Sequence, residues 1–394
     1  MQDRVVILGA GQAGAQLAQS LRASGHEGEI LLVGDEPWLP YQRPPLSKKF
    51  LAGEMEAEGL ELRPAAFYET QRIGLRLSTP VEAVDCREKR VYPKAGEPIS
   101  YDRLVFATGT RPRSIPLPGA DLPGVVTLRG IADVDAMRPL FKQSSRIAVV
   151  GGGYIGLEVA AVARSFGVEV TVLEAQDRVM KRVVSPAVSA YFENLHGENG
   201  VDLRLGAGVA AFEGASQVEG VRLADGTVVP CGMVLVAVGA APNDELAAKA
   251  GIEVSDGILV DGGGRTSDEN VHAAGDCTRF HSARYGRSIR LESVQNAIDQ
   301  AKAVASDMAG KPVDYDPVPW FWSDQYATKL QIAGLSQDYD EAVTVGDPAS
   351  GSFYVAYLAA GRLIAVDSIN HPRSHMLARR SIGEAWRADL LPAA

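Results

Sequence analysis

The sequence predicts an α/β protein in which two similar strand–turn–helix units precede a smaller α+β domain. Three observations support this prediction: a glycine-rich turn after the apolar run 5–8, the same pattern after the apolar run 147–150, and a change in composition from residue 314 onward. A short apolar run that leads through such a turn into helical spacing is typical of a buried strand followed by a helix. The pattern therefore favours two parallel sheets covered by helices.

The first turn reads Gly-Ala-Gly-Gln-Ala-Gly over residues 9–14 and opens a helical stripe of apolar residues. Gly9 is expected to allow the turn, Gly11 to let a pyrophosphate approach the backbone, and Gly14 to let the helix pack on the strand. The N–H groups at the start of the helix would then face the phosphates. The next apolar run leads to Asp35, where a ribose hydroxyl is held in such sites. Strand, turn, helix and acid together predict a dinucleotide site rather than a glycine-rich hairpin without a ligand.

The second turn repeats the first, because the glycines at 151, 153 and 156 lie 142 residues after those at 9, 11 and 14. The following apolar run ends at Glu174. This carboxylate would accept a hydrogen bond from a free ribose 2′-hydroxyl and would repel a 2′-phosphate. The first cation beyond it is Arg178. The duplication therefore predicts a second dinucleotide site that prefers NADH to NADPH.

Composition restricts the class of protein. The chain has 394 residues, of which 46% are hydrophobic and 22% charged, and its net charge is −10. These values predict two or three globular domains and argue against a nucleic-acid partner. No apolar run approaches membrane-spanning length, and the first strand follows Met1 too closely for a leader peptide, so we expect no membrane association and a cytoplasmic location.

The three cysteines are far apart and form no C-x-x-C pair. This spacing fits a reducing compartment and excludes a redox-active dithiol within one short motif. We expect all three to be buried apolar side chains, and we predict no metal site. They are Cys86, Cys231 and Cys277.

A proline-rich stretch over residues 37–48 is expected to form a stiff, extended loop. Its cations Arg43 and Lys48 either are solvated side chains of a linker or meet the phosphates and the redox ring of a cofactor. Glu158 follows the second glycine triplet by two residues. The helix dipole alone explains a carboxylate in a first helical turn. The alternative is that Glu158 lies near a nicotinamide and pairs with Lys48.

Two runs, 104–112 and 233–243, each pass from a strand through small residues to a proline. They are expected to be the crossings between two domains. The predicted domains are residues 1–110 with 240–314, residues 111–239, and residues 315–394.

Two later segments carry further candidate residues. The run 266–277 places Asp276 directly after Gly275, and a glycine there permits close approach of a ligand to the backbone. The alternative is that Asp276 only caps a loop. The run 291–301 has helical spacing and opens with exposed backbone N–H groups. Strand-like runs in the last domain are 329–332, 353–358 and 363–366, followed by a terminal helix.

These motifs resemble the FAD-dependent, NADH-linked ferredoxin reductases of bacterial oxygenase systems, the putidaredoxin reductase-like flavoproteins, over essentially the whole chain. The most specific motif is Val-Pro-Trp-Phe-Trp-Ser-Asp-Gln at 318–325, which separates these enzymes from the broader class with glutathione-reductase-like architecture. The other motifs that carry the resemblance are residues 9–14, 43–48, 107–109, 151–156 with Glu174, and 274–276.

The resemblance implies FAD on the first Rossmann-like domain, NAD(H) on the second, and a C-terminal domain beside the flavin, with Trp320 or Trp322 near its ring. It implies hydride transfer from NADH to the flavin and single-electron transfer onward, with Lys48 and Glu158 as the catalytic candidates. The residues predicted to bind the cofactors are Gly9, Gly11, Ala13, Gly14, Asp35, Arg43, Lys48, Val81, Ala107, Thr108, Gly109, Arg129, Gly151, Gly153, Tyr154, Ile155, Gly156, Glu174, Gly239, Gly275, Asp276, Glu292, Ser293, Val294 and Trp322.

The implied partner is a 2Fe–2S ferredoxin that feeds a haem-thiolate monooxygenase or a ring-hydroxylating dioxygenase. Since a chain of net charge −10 repels an acidic ferredoxin overall, docking requires a local basic patch. The candidates are Arg290 and Lys302, which bracket the helix expected from residue 291, and Lys329 after the aromatic block. Two alternatives remain: a rubredoxin reductase or NADH oxidase, and a flavin-bearing signalling protein switched by NADH.

Overall fold

A computed structural model describes residues 3–393. The strands in chain order are β1 Val5–Leu8, β2 Ile30–Val33, β3 Ile73–Arg76, β4 Val81–Asp85, β5 Arg90–Pro93, β6 Ile99–Ser100, β7 Arg103–Phe106, β8 Thr110–Pro112, β9 Val125–Val126, β10 Arg146–Val150, β11 Glu169–Glu174, β12 Val201–Leu205, β13 Val209–Glu213, β14 Gly220–Leu223, β15 Val228–Pro230, β16 Met233–Val236, β17 Ala240–Pro242, β18 Ile258–Val260, β19 Val271–Ala273, β20 Thr278–Ser282, β21 Arg287–Ile289, β22 Trp320–Gln325, β23 Thr328–Gly334, β24 Glu341–Asp347, β25 Ser352–Ala359 and β26 Arg362–Ile369. The helices are α1 Gln12–Ala23, α2 Ala65–Thr70, α3 Ile131–Gln143, α4 Tyr154–Ser165, α5 Pro186–Glu198, α6 Glu245–Lys249, α7 Val294–Met308 and α8 Pro372–Ser381. Short 3₁₀ turns cover Pro44–Ser47, Ala57–Leu60 and Pro348–Ser350.

The chain divides into two compact units, each assembled from three stretches of sequence. Unit 1 comprises Met1–Gln42, Glu58–Arg111 and Ala240–Pro317, and unit 2 comprises Arg43–Ala57, Pro112–Gly239 and Val318–Ala394. The chain crosses between units close to the domain boundaries expected from the sequence. The division differs from that expectation in two respects: the segment Arg43–Ala57 groups with unit 2, and so does the C-terminal part.

Unit 1 is built on a parallel sheet with strand order β19-β7-β1-β2-β3. Strands β1 and β2 are buried at every position, because a parallel sheet is covered on both faces and needs apolar residues on both. On one face α1 and α7 pack together against the sheet, and the stripe predicted for α1 is buried. Two small sheets complete the unit: the antiparallel sheet β4-β5-β6, and the mixed sheet β18-β20-β21, in which β18 runs parallel to β20 and β21 antiparallel to it.

Unit 2 repeats this architecture with a parallel sheet of order β12-β11-β10-β16-β9 and the antiparallel sheet β13-β14-β15. Its helix α4 buries the predicted stripe of Gly156, Val159, Ala160 and Ala163. The segment Arg43–Ala57 is held to the unit by Arg138 of α3, whose guanidinium lies 4.3 Å from the ring centroid of Phe50 and donates to its carbonyl oxygen. The two duplicated sheets confirm the predicted fold class.

The C-terminal part is an antiparallel sheet of order β22-β23-β26-β25-β24 with α8 packed against it. Two of its strands were not predicted. The aromatic block forms β22, a stretch to which the sequence analysis assigned no secondary structure. The edge strand β24 is mostly exposed and carries charges at its ends, and only Val343 and Val345 alternate toward the core, which is a short apolar pattern for strand prediction.

Three local expectations are wrong. The proline-rich stretch is not uniformly extended, because Pro44–Ser47 forms a 3₁₀ turn. Helix α7 begins at Val294 rather than at 291, since Ser293 caps it by accepting from the N–H of Asn296 at 3.0 Å. Cys86 is only half-buried. Among residues 3–393, no helix is long and apolar enough to span a membrane.

Candidate functional site

The first glycine-rich turn has the backbone geometry that a nucleotide cradle requires. Gly9 has φ +121°, and a Cβ there would lie 2.0 Å from the carbonyl oxygen of Ala107. A Cβ on Gly14 would lie 2.0 Å from the oxygen of Gly9, so this glycine lets α1 pack on the turn. Gly11 is different, because a Cβ there meets no heavy atom within 4 Å. A side chain at Gly11 would therefore project into open space beside the start of α1.

The start of α1 is open to an anion. Gly11 provides no side-chain cap, and the first intrahelical bond runs from the N–H of Ala15 to the carbonyl of Gly11 at 3.0 Å. The N–H groups before Ala15 precede that bond and point out of the helix end. By contrast α5 and α7 are capped by serine hydroxyls. An uncapped helix start of this kind binds phosphate.

Two further predicted segments lie beside this turn within unit 1. Residues 107–109 are held by Asn243, whose side-chain amide donates to the Thr108 carbonyl at 2.9 Å while the Thr108 hydroxyl donates to the Asn243 carbonyl at 2.7 Å. Gly275, with φ +85°, approaches Ala13 so closely that a Cβ would lie 2.9 Å from the Ala13 methyl. Asp276 follows directly. Gln300 of α7 fixes this loop by accepting from the Gly275 N–H at 2.8 Å.

The acid after β2, Asp35, is not equivalent to Glu174, the acid at the end of β11. Strand pairing sets Leu8 opposite Val33 and Val150 opposite Leu173, so the position that corresponds to Glu174 is Gly34. A Cβ on Gly34 would lie 2.6 Å from the Ala10 methyl, which explains the glycine. Asp35 stands one residue further along and is exposed. Sequence spacing alone did not reveal this shift.

The three glycines of the second turn have the same kinds of neighbours as those of the first. Gly151 has φ +108° and lies against the carbonyl of Ala237, a Cβ on Gly156 would lie 2.2 Å from the oxygen of Gly151, and Gly153 faces open space. The first intrahelical bond of α4 runs from the N–H of Leu157 to the carbonyl of Gly153 at 3.0 Å. The uncapped start of α4 exposes Ile155 by 47%.

Glu174 is fixed by the backbone of this turn. Its carboxylate accepts from the N–H of Gly152 at 2.7 Å and from the N–H of Gln176 at 2.8 Å. Arg178, the first cation beyond it, donates to the carbonyls of Val184 and Lys181 and to a serine hydroxyl. Its guanidinium is therefore engaged within its own loop rather than available to a ribose 2′-phosphate.

Glu158 is the most densely hydrogen-bonded carboxylate of this region. It is 3% exposed and forms an ion pair with Lys48, whose ammonium nitrogen lies 2.6 Å from Oε2. Ser47 Oγ donates to the same oxygen at 2.5 Å, and Ser323 Oγ donates to Oε1 at 2.6 Å. The predicted pairing of Lys48 with Glu158 is confirmed. The two serines were missed, because nothing in the sequence shows that β22 and the Pro44–Ser47 turn meet α4.

The explanation of Glu158 by the helix dipole is wrong. Helix α4 begins at Tyr154 and has no acid in its first turn, so Glu158 lies in the second turn, about 6 Å along the axis from Tyr154. The dipole effect decays within the first turn. A buried carboxylate there needs partners, and the three donors supply them.

Arg43 binds the backbone beside Arg129 within unit 2. The guanidinium of Arg43 donates to the carbonyl of Arg129 at 2.7 Å. The backbone N–H of Arg129 in turn donates to Asp133 at 2.7 Å, at the start of α3. Arg43 is therefore not a freely solvated cation of a linker.

The aromatic residues of β22 alternate between its faces. Phe321 lies 4.8 Å from the ring of Tyr154 at the start of α4, on the same face as Ser323. Trp320 lies on the opposite face, 4.8 Å below the guanidinium of Arg379 and 6.0 Å from His375 of α8. Trp320 is thus part of the packing between β22 and α8. Trp322 stacks on Trp320 at 5.8 Å.

The three docking candidates differ in availability. Arg290 is only 13% exposed and pairs with Glu292 and Asp256, so it is not an available surface cation. Lys302 is 57% exposed, but it lies inside α7 rather than at its end. Lys329 is 56% exposed on β23.

The remaining predicted residues occupy positions consistent with, but not specific to, ligand binding. Val81 is half-buried at the start of β4. Gly239 has φ +105° and accepts from the N–H of Arg113 at 2.9 Å. Glu292 is exposed next to the cap of α7.

Burial keeps the cysteine thiols protonated. It raises the pKa of Cys277 above its ordinary value and raises the pKa of Cys231 to about 11. The pKa of Cys86 is also raised, mainly by desolvation. A thiol with a raised pKa is a poor nucleophile, so Cys277 is not a redox thiol although it follows Asp276 directly.

Two uncapped glycine cradles in a duplicated α/β fold define a dinucleotide-dependent oxidoreductase. Residues 3–301 match the model of the pyridine nucleotide-disulphide oxidoreductases, and residues 320–393 match the reductase C-terminal model. The chain belongs to the pyridine nucleotide-disulphide oxidoreductase family, whose members bind FAD.

Individual relatives agree over the full length. Rhodocoxin reductase of Rhodococcus erythropolis is 46% identical over 95% of this chain and 88% of its own. The crystal structure of the ferredoxin reductase for the CYP199A2 system from Rhodopseudomonas palustris superposes with a TM-score of 0.95 at 41% identity, covering 98% of this chain and 96% of that one. The covalent putidaredoxin reductase–putidaredoxin complex gives a TM-score of 0.93 at 42% identity, covering 97% of this chain and 94% of that one.

Proposed function

We propose that this protein is an NADH-dependent reductase that passes electrons through FAD to a 2Fe–2S ferredoxin, which in turn serves a haem-thiolate monooxygenase or a ring-hydroxylating dioxygenase, in the cytoplasm. The observation that carries the proposal is the buried Lys48–Glu158 pair, one helical turn from the second glycine cradle. The similarity to reductases named for their ferredoxin partners supports the choice of acceptor.

The two cradles supply the cofactor sites of this proposal. The first, at Gly11, receives the pyrophosphate of FAD on the N–H groups of α1, and the second, at Gly153, receives that of NADH on those of α4. Asp276, behind Gly275, is proposed to face the FAD. The residues present fit these groups, because the starts of α1 and α4 have no side-chain cap and the backbone at Gly11 and Gly153 is open to a phosphate.

FAD held at the first cradle would supply the conversion of a two-electron donor into single electrons, so that NADH and two oxidised ferredoxins would give NAD⁺, a proton and two reduced ferredoxins. The chain's own residues orient the NADH and place a positive charge for the reaction. Glu174 holds the adenosine ribose of NADH through its 2′-hydroxyl. The Glu158 carboxylate fixes the Lys48 ammonium, which contributes one positive charge to flavin reduction.

The test of Lys48 is a comparison of two rates. We expect Lys48→Ala to slow flavin reduction by NADH, followed by stopped-flow absorbance, more than it lowers the FAD content of the purified protein. Lys49→Ala, one residue further and outside the ion pair, is the matched control. An unchanged rate with full FAD content would contradict a role for Lys48 in the reaction.

The test of the acceptor uses the FAD-loaded protein with NADH. Cytochrome c reduction that depends strongly on added 2Fe–2S ferredoxin supports the proposal. Equal reduction with rubredoxin, or oxygen consumption without any carrier, would instead indicate a rubredoxin reductase or an NADH oxidase. No turnover with any acceptor would indicate a flavin-bearing protein switched by NADH.

A further inference from the structure

A line of buried polar side chains leads from the turn after β22 to Glu158. Tyr326 Oη lies 3.3 Å from Nδ1 of His196, and Nε2 of His196 lies 2.9 Å from Oε1 of Gln325. Gln325 Nε2 donates to Ser323 Oγ at 3.2 Å, and Ser323 Oγ donates to Glu158 Oε1 at 2.6 Å. His196, Gln325 and Ser323 are each fully buried.

The carboxylate at the end of this line decides the direction of every bond in it. Glu158 already accepts from Ser47 and Lys48, so the Ser323 hydroxyl must donate to it. Ser323 Oγ is then the acceptor for Gln325, which must present its NH₂ group and so turn its carbonyl oxygen to His196.

The same reasoning fixes the tautomer of the histidine. The Gln325 carbonyl can only accept, so His196 carries its proton on Nε2, and Nδ1 is left to accept from the Tyr326 hydroxyl. Burial lowers the pKa of His196 below its ordinary value, which agrees with a neutral ring. All donors therefore point toward Glu158.

Tyr326 begins the line from the hairpin between β22 and β23. It is the first residue of the two-residue turn and has φ +54°, the left-handed value that such turns use at this position. Its ring lies 5.1 Å from the ring of His196, so the turn carries the hydroxyl that His196 Nδ1 faces.

We propose that Tyr326, His196, Gln325 and Ser323 form a one-way hydrogen-bond chain that holds the Glu158 carboxylate in place, with Ser323 as a positioning residue for the Lys48–Glu158 pair. The proposal rests on the proposed function, because it assigns the chain to the step in which NADH reduces the flavin. The C-terminal sheet thereby contributes to that step through β22 without a catalytic residue of its own.

The experiment combines two readouts on the full-length, FAD-loaded enzyme. The first is the ¹⁵N chemical shift pattern of the His196 ring, which distinguishes the Nε2–H tautomer from the Nδ1–H tautomer and does not depend on activity. The second is the rate constant for flavin reduction by NADH in Ser323→Ala, Gln325→Leu and the double variant. Ser368→Ala is the matched control, since Ser368 is also fully buried in the same sheet but contacts Ser374 instead.

We expect the Nε2–H tautomer in the unmodified enzyme and a rate constant reduced roughly tenfold by Ser323→Ala, the effect of one hydrogen bond to a charged group. Gln325→Leu should slow the step less, and the double variant should match Ser323→Ala, because Gln325 acts only through Ser323. Ser323→Thr retains the hydroxyl and should restore most of the rate. If Ser323→Ala does not fold, Gln325→Leu tests the same chain.

An Nδ1–H tautomer, additive effects of the two substitutions, or an equal loss in Ser368→Ala would overturn the proposal. Failure of the proposed function gives a different result. In that case NADH does not reduce the flavin of the unmodified enzyme, while the His196 tautomer still tests the direction of the chain.

Discussion

The replacement Asp367→Asn should change the pH dependence of stability more than any other conservative change in the C-terminal sheet. Asp367 lies on the central strand β26 and is fully buried. Its Oδ2 accepts from the Tyr357 hydroxyl, whereas Oδ1 has no partner among the described residues. Burial raises the pKa of Asp367 to about 7, against an ordinary value of 3.8.

The sign of the effect follows from these two pKa values. Between pH 4 and 7 the folded state holds a proton on Asp367 that the unfolded state has released, so the free energy of unfolding falls as pH rises. At about 1.4 kcal/mol per pH unit, the loss between pH 5 and 7 is about 3 kcal/mol. Asparagine has no proton to lose. The free energy of unfolding of the variant, taken relative to that of the parent, should therefore rise by about 3 kcal/mol between pH 5 and 8.

Urea unfolding followed by tryptophan fluorescence measures this difference, since three of the four tryptophans lie in the C-terminal part. The midpoints of parent and variant should diverge as pH rises from 5 to 8, at constant m-value. Asp389→Asn, at a side chain 81% exposed, is the control and should leave the pH dependence unchanged. Midpoints of parent and Asp367→Asn that stay parallel over this range would refute the reasoning.

Three further outcomes are expected. Glu174→Ala should narrow the preference for NADH over NADPH roughly tenfold, because it removes a repulsion of about 1–2 kcal/mol between the carboxylate and the 2′-phosphate of NADPH. Equal use of both coenzymes by the parent would rule out this role of Glu174. Gly14→Ala should abolish folding, since its Cβ would lie 2.0 Å from a backbone oxygen, whereas Gly11→Ala should fold and lose FAD, measured as the ratio of flavin to protein absorbance. Lys302→Glu or Lys329→Glu should raise the apparent KM for ferredoxin severalfold and leave NADH–ferricyanide turnover intact. Ferredoxin reduction should also slow as the salt concentration rises. If neither the substitutions nor salt changes ferredoxin reduction, these lysines take no part in docking.

The sequence predicted the parts of the fold that depend on local pattern. Buried parallel strands and glycine-rich turns are continuous in sequence, so both dinucleotide units could be located from spacing alone. The pairing of Lys48 with Glu158 was also foreseen, although the position of Glu158 in the helix was not.

The rest depended on contacts between distant stretches. Ser323 meets Glu158 across 165 residues, and Arg290 pairs with Asp256 from an earlier segment of the chain. Neither relation leaves a local signal. The exposed edge strand β24 and the start of α7 were missed for other reasons. Strand β24 is defined by its pairing at the edge of the sheet rather than by a long apolar pattern. The Ser293 cap is a local signal for a helix start, but apolar spacing alone does not register it.

The three donors to Glu158 leave the ribosome at very different times. Ser47 and Lys48 are synthesised before Glu158, but Ser323 follows it by 165 residues. At about 5–20 residues per second, that interval is roughly 8–33 s. Throughout it the nascent chain carries a carboxylate whose full set of hydrogen-bond donors does not yet exist. A transcript truncated before codon 323 would therefore encode both glycine-rich turns but lack one of the three donors to Glu158.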